Sequence, residues 1–224
     1  MVLVGAGGLG SEIGEGLVRK GVGTLKILDD DVVELSNLNR QRFYQRDLFK
    51  PKARRLARNL AAEGVMGTHL HGYALSLQDA VVQGVDLTAD VVIVGVDNNP
   101  TRTFSARHFR TLGTPVIFTA VSRTANNGYI FVQEPDGPCF GCLFPDALND
   151  ETYPCPGTPA VKDILKVVAG IVLYATDTVL MPRPRQWNYK DIVLDGSIPG
   201  NDWRITARAD CPICCASVQE GGGG

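Results

Sequence analysis

The sequence predicts an α/β fold: a doubly wound, Rossmann-like, mostly parallel sheet that ends in a C-terminal antiparallel extension. Three observations predict it. The chain opens MVLVGAGGLG, an apolar strand that runs straight into a glycine-rich turn and a helix. Apolar strand runs and helical patterns then alternate as far as Val121, the pattern of a parallel sheet with crossover helices. Beyond Asn127, strand-like runs are separated by turn residues, which is how antiparallel strands are written.

Element by element, Val2–Val4 reads as a buried strand, Leu9–Arg19 as its crossover helix and Thr24–Asp29 as the second strand. The stretch Asp30–Asp47 has no clean period and is rich in Asn, Arg and Gln, so it reads as a functional loop. Pro51–Glu63 carries apolar residues at helical spacing, with Pro near its start and Gly64 past its end. His69–Leu75 is a short strand. Asp90–Val96 is a continuous apolar run of the kind found in central parallel strands. A helix over Thr101–Leu112 and a strand over Pro115–Val121 follow, then a strand over Gly128–Gln133 and a Pro- and Cys-rich connector over Pro138–Pro159. Val161–Val179 reads as one long buried helix. Tyr189–Leu194 and Asp202–Arg208 read as antiparallel strands around the turn residues Gly196–Asn201.

Composition bounds the function. With 224 residues, 44% hydrophobic and 21% charged, the chain can bury a full core as a single domain over 1–220. Residues 1–135 form its nucleotide-binding core, 136–220 its knuckle and C-terminal part, and 221–224 a flexible Gly tail. A net charge of −2 gives no electrostatic footprint for nucleic acid or an anionic membrane. No apolar run has transmembrane length and no leader precedes the first strand, so a cytoplasmic location is expected.

Gly5, Gly7 and Gly10 form G-x-G-x-x-G between a strand and a helix, and Asp29 follows at the distance of an acid that binds a ribose hydroxyl. Gly5 allows the tight turn, Gly7 admits backbone N–H groups to phosphate, and Gly10 brings the helix onto the strand. The helix N-terminus then favours an anion. NAD and ATP fit this pattern equally. In Ser36–Arg42 and at Lys52, Arg40 and Lys52 suit phosphate clamping, though a solvated basic loop has the same composition. Asp97 ends the apolar strand, where ligands bind in open α/β sheets. There it suits magnesium against a triphosphate, or a turn or helix cap before Pro100. Cys139/Cys142 and Cys211/Cys214 are two C-x-x-C pairs, able to give a closed four-cysteine zinc knuckle if the fold brings the chain end back to its middle; redox pairs or buried thiols are the alternative. Cys155 lies outside both pairs, a loop thiol open to nucleophilic use or to none.

Taken in order, GAGGLG at Gly5–Gly10, the LDDD run ending at Asp31, SNLNRQ at Ser36–Gln41, Pro51–Lys52, Asp97–Asn98 and the two C-x-x-C pairs resemble one family. It is the adenylating family of the MoeB/ThiF/HesA type, which shares its core with ubiquitin-activating enzymes. The ordered set spans nearly the whole chain and is specific where each motif alone is not. The resemblance implies ATP with magnesium, a structural zinc and a homodimer or heterodimer. It also implies adenylation of the C-terminal glycine carboxylate of a ubiquitin-like or sulfur-carrier protein ending in Gly-Gly. By motif position, Gly5, Gly7, Gly8, Gly10, Asp29 and Asp31 would hold the nucleotide. Asn37, Arg40, Gln41 and Lys52 would meet its phosphates, Asp97 with Asn98 beside it would bind magnesium, and Arg102 would assist. Cys155 falls where some relatives carry a thiol that receives the activated protein. Relatives have a helical segment before the first strand, which here begins at Met1, so that segment is expected to be truncated, supplied in trans or dispensable. The competing readings are C-terminal adenylation of a peptide, as in microcin maturation, and a non-catalytic half of a heterodimer. An NAD-dependent dehydrogenase explains the first thirty residues and nothing after them.

Overall fold

In the computed structural model, residues 1–64, 66–122, 124–149, 161–181, 183–197 and 199–214 are described. Among them one eight-stranded sheet runs in the order β3-β2-β1-β4-β5-β6-β7-β8. The strands are β1 (Val2–Val4), β2 (Thr24–Leu28), β3 (His69–Tyr73), β4 (Val92–Val94), β5 (Val116–Val121), β6 (Asn127–Gln133), β7 (Tyr189–Val193) and β8 (Asp202–Trp203). The first five pair in parallel, with Val2 beside both Lys26 and Val92. From β5 onward every pairing is antiparallel, Phe118 lying opposite Phe131. The expected doubly wound sheet with an antiparallel extension is therefore present.

The helices are α1 (Gly8–Arg19), α2 (Lys52–Leu60), α3 (Leu77–Val82), α4 (Asn99–Thr111), α5 (Phe140–Leu143) and α6 (Lys162–Leu180). Alternation along the strands sorts the core into two layers. Leu3, Ile27, Ile93, Ile117 and Val132 face α1, α2 and α6. Val2, Val4, Val92, Phe118 and Phe131 face α3, α4 and the cysteines. Each such side chain, buried, contributes roughly 1.5–3 kcal/mol over leaving it in water.

Several elements differ from the expectations. The last strand is only Asp202–Trp203, because it is itself the edge of the sheet and pairs on one side only, with β7. α3 was not expected at all. α6 is buried along one face (Ile164, Leu165, Val168, Val172, Ala175), whereas Val167 and Tyr174 on its outer side are exposed, because the sheet and α1 cover one side only. The loop after β2 contains two 3-10 turns, Leu35–Asn37 and Gln45–Asp47. Asn37 Oδ1 accepts from Glu34 N at 3.0 Å and closes the first. Asp47, fully buried, accepts from Tyr44 N and Asn59 and pairs with Arg55 to anchor the second. Cys155, Cys215 and the Gly221–Gly224 tail lie outside the described residues.

Candidate functional site

The strand order reverses between β1 and β4: the chain leaves β1 toward β2 and β3, then returns to β4 on the other side. Ligands of open α/β sheets bind outside the carboxyl ends of the strands at such a point. A cavity of about 1020 Å³ opens there, lined by residues that come from across the chain. Gly5, Gly7 and Gly8 border it, as do Asp29, Asp31, Asn37, Arg40, Gln41, Lys52, Asp97, Asn98 and Arg102. All of the nucleotide residues expected from the sequence are thus gathered at one cleft except Gly10, which lies beneath it. A smaller cavity of about 460 Å³ beside α2, lined by Tyr44, Arg46, Lys50, Arg55 and Arg58, contains none of them.

The glycine loop is shaped from below. Gly5 has φ +100°, a left-handed conformation that other residues avoid. A Cβ on Gly10 would stand 2.0 Å from the Gly5 carbonyl oxygen, so only glycine lets α1 begin this close to β1. Asp29 braces the same loop: its Oδ2 accepts from Ala6 N at 2.6 Å and its Oδ1 from Asp31 N at 2.9 Å. Burial raises its pKa above the ordinary carboxylate value, and the Ala6 N–H and the Lys52 charge offset only part of that. A carboxylate offers about four lone-pair directions, so these two contacts leave Asp29 with acceptor capacity to spare.

Lys52 opens α2, and its nearly buried ammonium meets Asp31 Oδ2 at 2.8 Å. Arg40 folds back on its own loop, donating to Ser36 O at 2.7 Å and to Asn39 at 3.0 Å. Gln41 is buried and its Oε1 has no hydrogen-bond partner, so a polar atom at the cleft wall is left for a ligand or water. Past β4, Asp97 is exposed at the mouth. Asn98 Oδ1 accepts from Thr101 N at 2.9 Å and caps α4, so this side chain shapes the turn. Arg102 ties the turn together, donating to Val96 O at 2.6 Å and Asn99 at 2.9 Å. The wall carries five carboxylates (Asp29, Asp30, Asp31, Glu34, Asp97) against three cations (Arg40, Lys52, Arg102). An anionic nucleotide entering this field needs an accompanying cation. Asp29, Asp30 and Asp31 bring three carboxylates within 4.8 Å of one another.

Sequence reasoning missed part of the wall: Leu75, Ser76 and Leu77 at the start of α3, Ala120–Ser122 at the end of β5, and Leu165 of α6. One signal was present. Ser76 and Asp79 form the S-x-x-D pattern of a helix start, and Ser76 Oγ accepts from Asp79 N at 3.1 Å.

The four cysteines of the two pairs meet on the other face of the sheet. Their sulfurs stand 3.8 Å (Cys139–Cys142), 3.4 Å (Cys139–Cys211) and 3.4 Å (Cys142–Cys214) apart. A tetrahedron with zinc–sulfur bonds near 2.3 Å has edges of about 3.8 Å, so the donor set fits a closed four-thiolate metal site. Burial raises the Cys139 thiol strongly. At Cys211 burial acts the same way, but hydrogen bonds from the Cys214 and Ile213 N–H groups, together with those to the Cys139 and Cys142 thiols, outweigh it and bring the thiol down to about 7.

The ThiF family model matches residues 1–202. The SAMP-activating enzyme E1 of Haloferax volcanii is 36% identical, covering 96% of this chain and 79% of its own. The sulfur carrier protein ThiS adenylyltransferase of Escherichia coli is 30% identical over 97% and 86% of the two chains. The crystal structure of E. coli MccB with ATP superposes with a TM-score of 0.77 at 18% identity, covering 95% of this chain and 65% of that one, which is a likeness of fold. No described helix is long and apolar enough to cross a membrane.

Proposed function

The chain belongs to the ThiF family, and from that premise we propose that it is an ATP-dependent adenylyltransferase. Its substrate is the C-terminal glycine carboxylate of a ubiquitin-like or sulfur-carrier protein. The observation that carries the reading is the gathering of the glycine loop, Asp29, Arg40, Lys52, Asp97 and Arg102 around one cleft at the strand-order reversal.

In the reaction a carboxylate oxygen of the carrier tail bonds to the α-phosphorus of ATP. The bond from that phosphorus to the β-phosphate oxygen breaks, and pyrophosphate leaves with the electron pair. The product is an acyl-adenylate, and no covalent bond to the enzyme is required. Two anions must approach, so the enzyme's task is alignment and charge neutralisation. Asp29 fixes the ribose and the N-terminus of α1 faces the phosphates. Lys52 and Arg40 oppose charge that builds on the leaving pyrophosphate, once Lys52 exchanges Asp31 for phosphate and Arg40 unfolds from Ser36. Magnesium, when bound, supplies further neutralisation on the phosphates, with Asp97 as its protein ligand. The tail is placed to enter beside Ala120–Ser122, which line the cleft at the end of β5. Cys139, Cys142, Cys211 and Cys214 would hold zinc as a structural staple rather than a catalyst.

A carrier that carries AMP tests this directly. Intact-mass analysis of a Gly-Gly-terminated carrier incubated with enzyme, ATP and magnesium is expected to show an added adenylate, and deleting the last glycine is expected to abolish it. An adenylate that forms on internal positions of the carrier would contradict the proposal.

A further inference from the structure

Gln133 is a buried amide at the end of β6, directly after the apolar run Ile130, Phe131 and Val132, and it is 1% exposed. A buried amide is costly unless both of its ends are paired. Here both are. Nε2 donates to Ala106 O of α4 at 2.9 Å, and Oε1 accepts from Phe140 N at 3.0 Å.

Phe140 is the first residue of α5, the short helix between Cys139 and Cys142. The first N–H groups of a helix have no intrahelical partner, and a cap side chain normally serves those of the second and third residues, so the Phe140 N–H needs an acceptor from elsewhere. The cap residue here is Cys139, which makes no capping bond; its sulfur is turned instead toward Cys142 and Cys211. The cap is supplied from the sheet, by Gln133. A second bond from α4 holds the approach to the same turn: Arg110 Nη1 donates to Gly137 O at 2.8 Å.

We propose that Gln133 is the positioning residue of the metal site, an external cap that fixes Cys139 and Cys142 at metal-binding spacing before metal arrives. It sets how tightly the thiolates retain zinc. The inference rests on reading the four thiols as a zinc site, and outer contacts of this kind typically change metal affinity by roughly ten- to a hundredfold.

The test is zinc release to a chromophoric chelator from the full chain, followed in the wild type, Gln133→Leu, Gln133→Glu and Thr176→Val. Thr176 is a buried hydroxyl on α6, bonded to Val172 O at 2.8 Å, and its substitution removes one buried polar group away from the knuckle. The expected result is one zinc per wild-type chain, release roughly tenfold or more faster in Gln133→Leu, and wild-type release in Thr176→Val. Gln133→Glu keeps an acceptor for Phe140 N and is expected to lie between the wild type and Gln133→Leu. Should Gln133→Leu fail to fold, Gln133→Glu is still expected to release zinc faster than the wild type. Wild-type release from both Gln133 variants would overturn the proposal, as would equal acceleration in Thr176→Val. A folded wild type that binds no zinc would instead overturn the metal reading itself.

Discussion

Gly10 has no room for a side chain, since its Cβ would lie 2.0 Å from a backbone oxygen that cannot move without moving the phosphate loop. Gly10→Ala is expected to cost about 1–3 kcal/mol in denaturant unfolding and to weaken ATP binding as well. Gly7, by contrast, has nothing within 4 Å of its Cβ position and faces the open cleft. Asp29 gives opposite signs for folding and for binding. Its folded pKa lies above the unfolded value near ~3.9, so the fold holds the proton more tightly, and Asp29's contribution to stability rises as pH falls through that window. On the proposed role of Asp29 at the ribose, ATP affinity is expected to fall over the same window. ATP titrations across the acid range are expected to show this loss at a higher pH than an ordinary carboxylate gives, and Asp29→Asn is expected to remove the pH dependence along with most of the affinity. These residues were legible because glycine spacing and a ribose acid follow from backbone geometry alone. The folded-back posture of Arg40 and the capping role of Asn98 were not, since both depend on partners that spacing does not reveal.

At the scale of elements, parallel strands and long helices announce themselves by apolar runs and period. The exceptions have physical reasons. α3 has six residues, too few for a helical period, and only its Ser76–Asp79 cap could have marked it. Ser76→Ala is expected to cost roughly 1 kcal/mol, seen as faster amide exchange over Ala80–Val82. α6 is apolar along most of its length, which reads as full burial; only the packing against α1 and the sheet shows that one side stays open.

At the scale of the molecule, the fold joins what the sequence separates. Cys139 and Cys211 are 72 residues apart, yet their sulfurs are 3.4 Å apart, a closure that the C-x-x-C pairs required but could not demonstrate. The cleft draws on residues from Gly5 to Leu165, and its five carboxylates outnumber its three cations. ATP binding, followed calorimetrically, is therefore expected to collapse when EDTA replaces magnesium. The cleft is proposed to join a carrier carboxylate to the α-phosphate of ATP, and ATP–pyrophosphate exchange reads that step in both directions. Radiolabelled pyrophosphate is expected to enter ATP only when magnesium and a Gly-Gly-terminated carrier are both present, with at least a hundredfold loss, on the order expected for removing a charge-stabilising group, in Lys52→Ala and in Asp97→Ala. Exchange that proceeds without any carrier, or that survives both substitutions, would contradict the account.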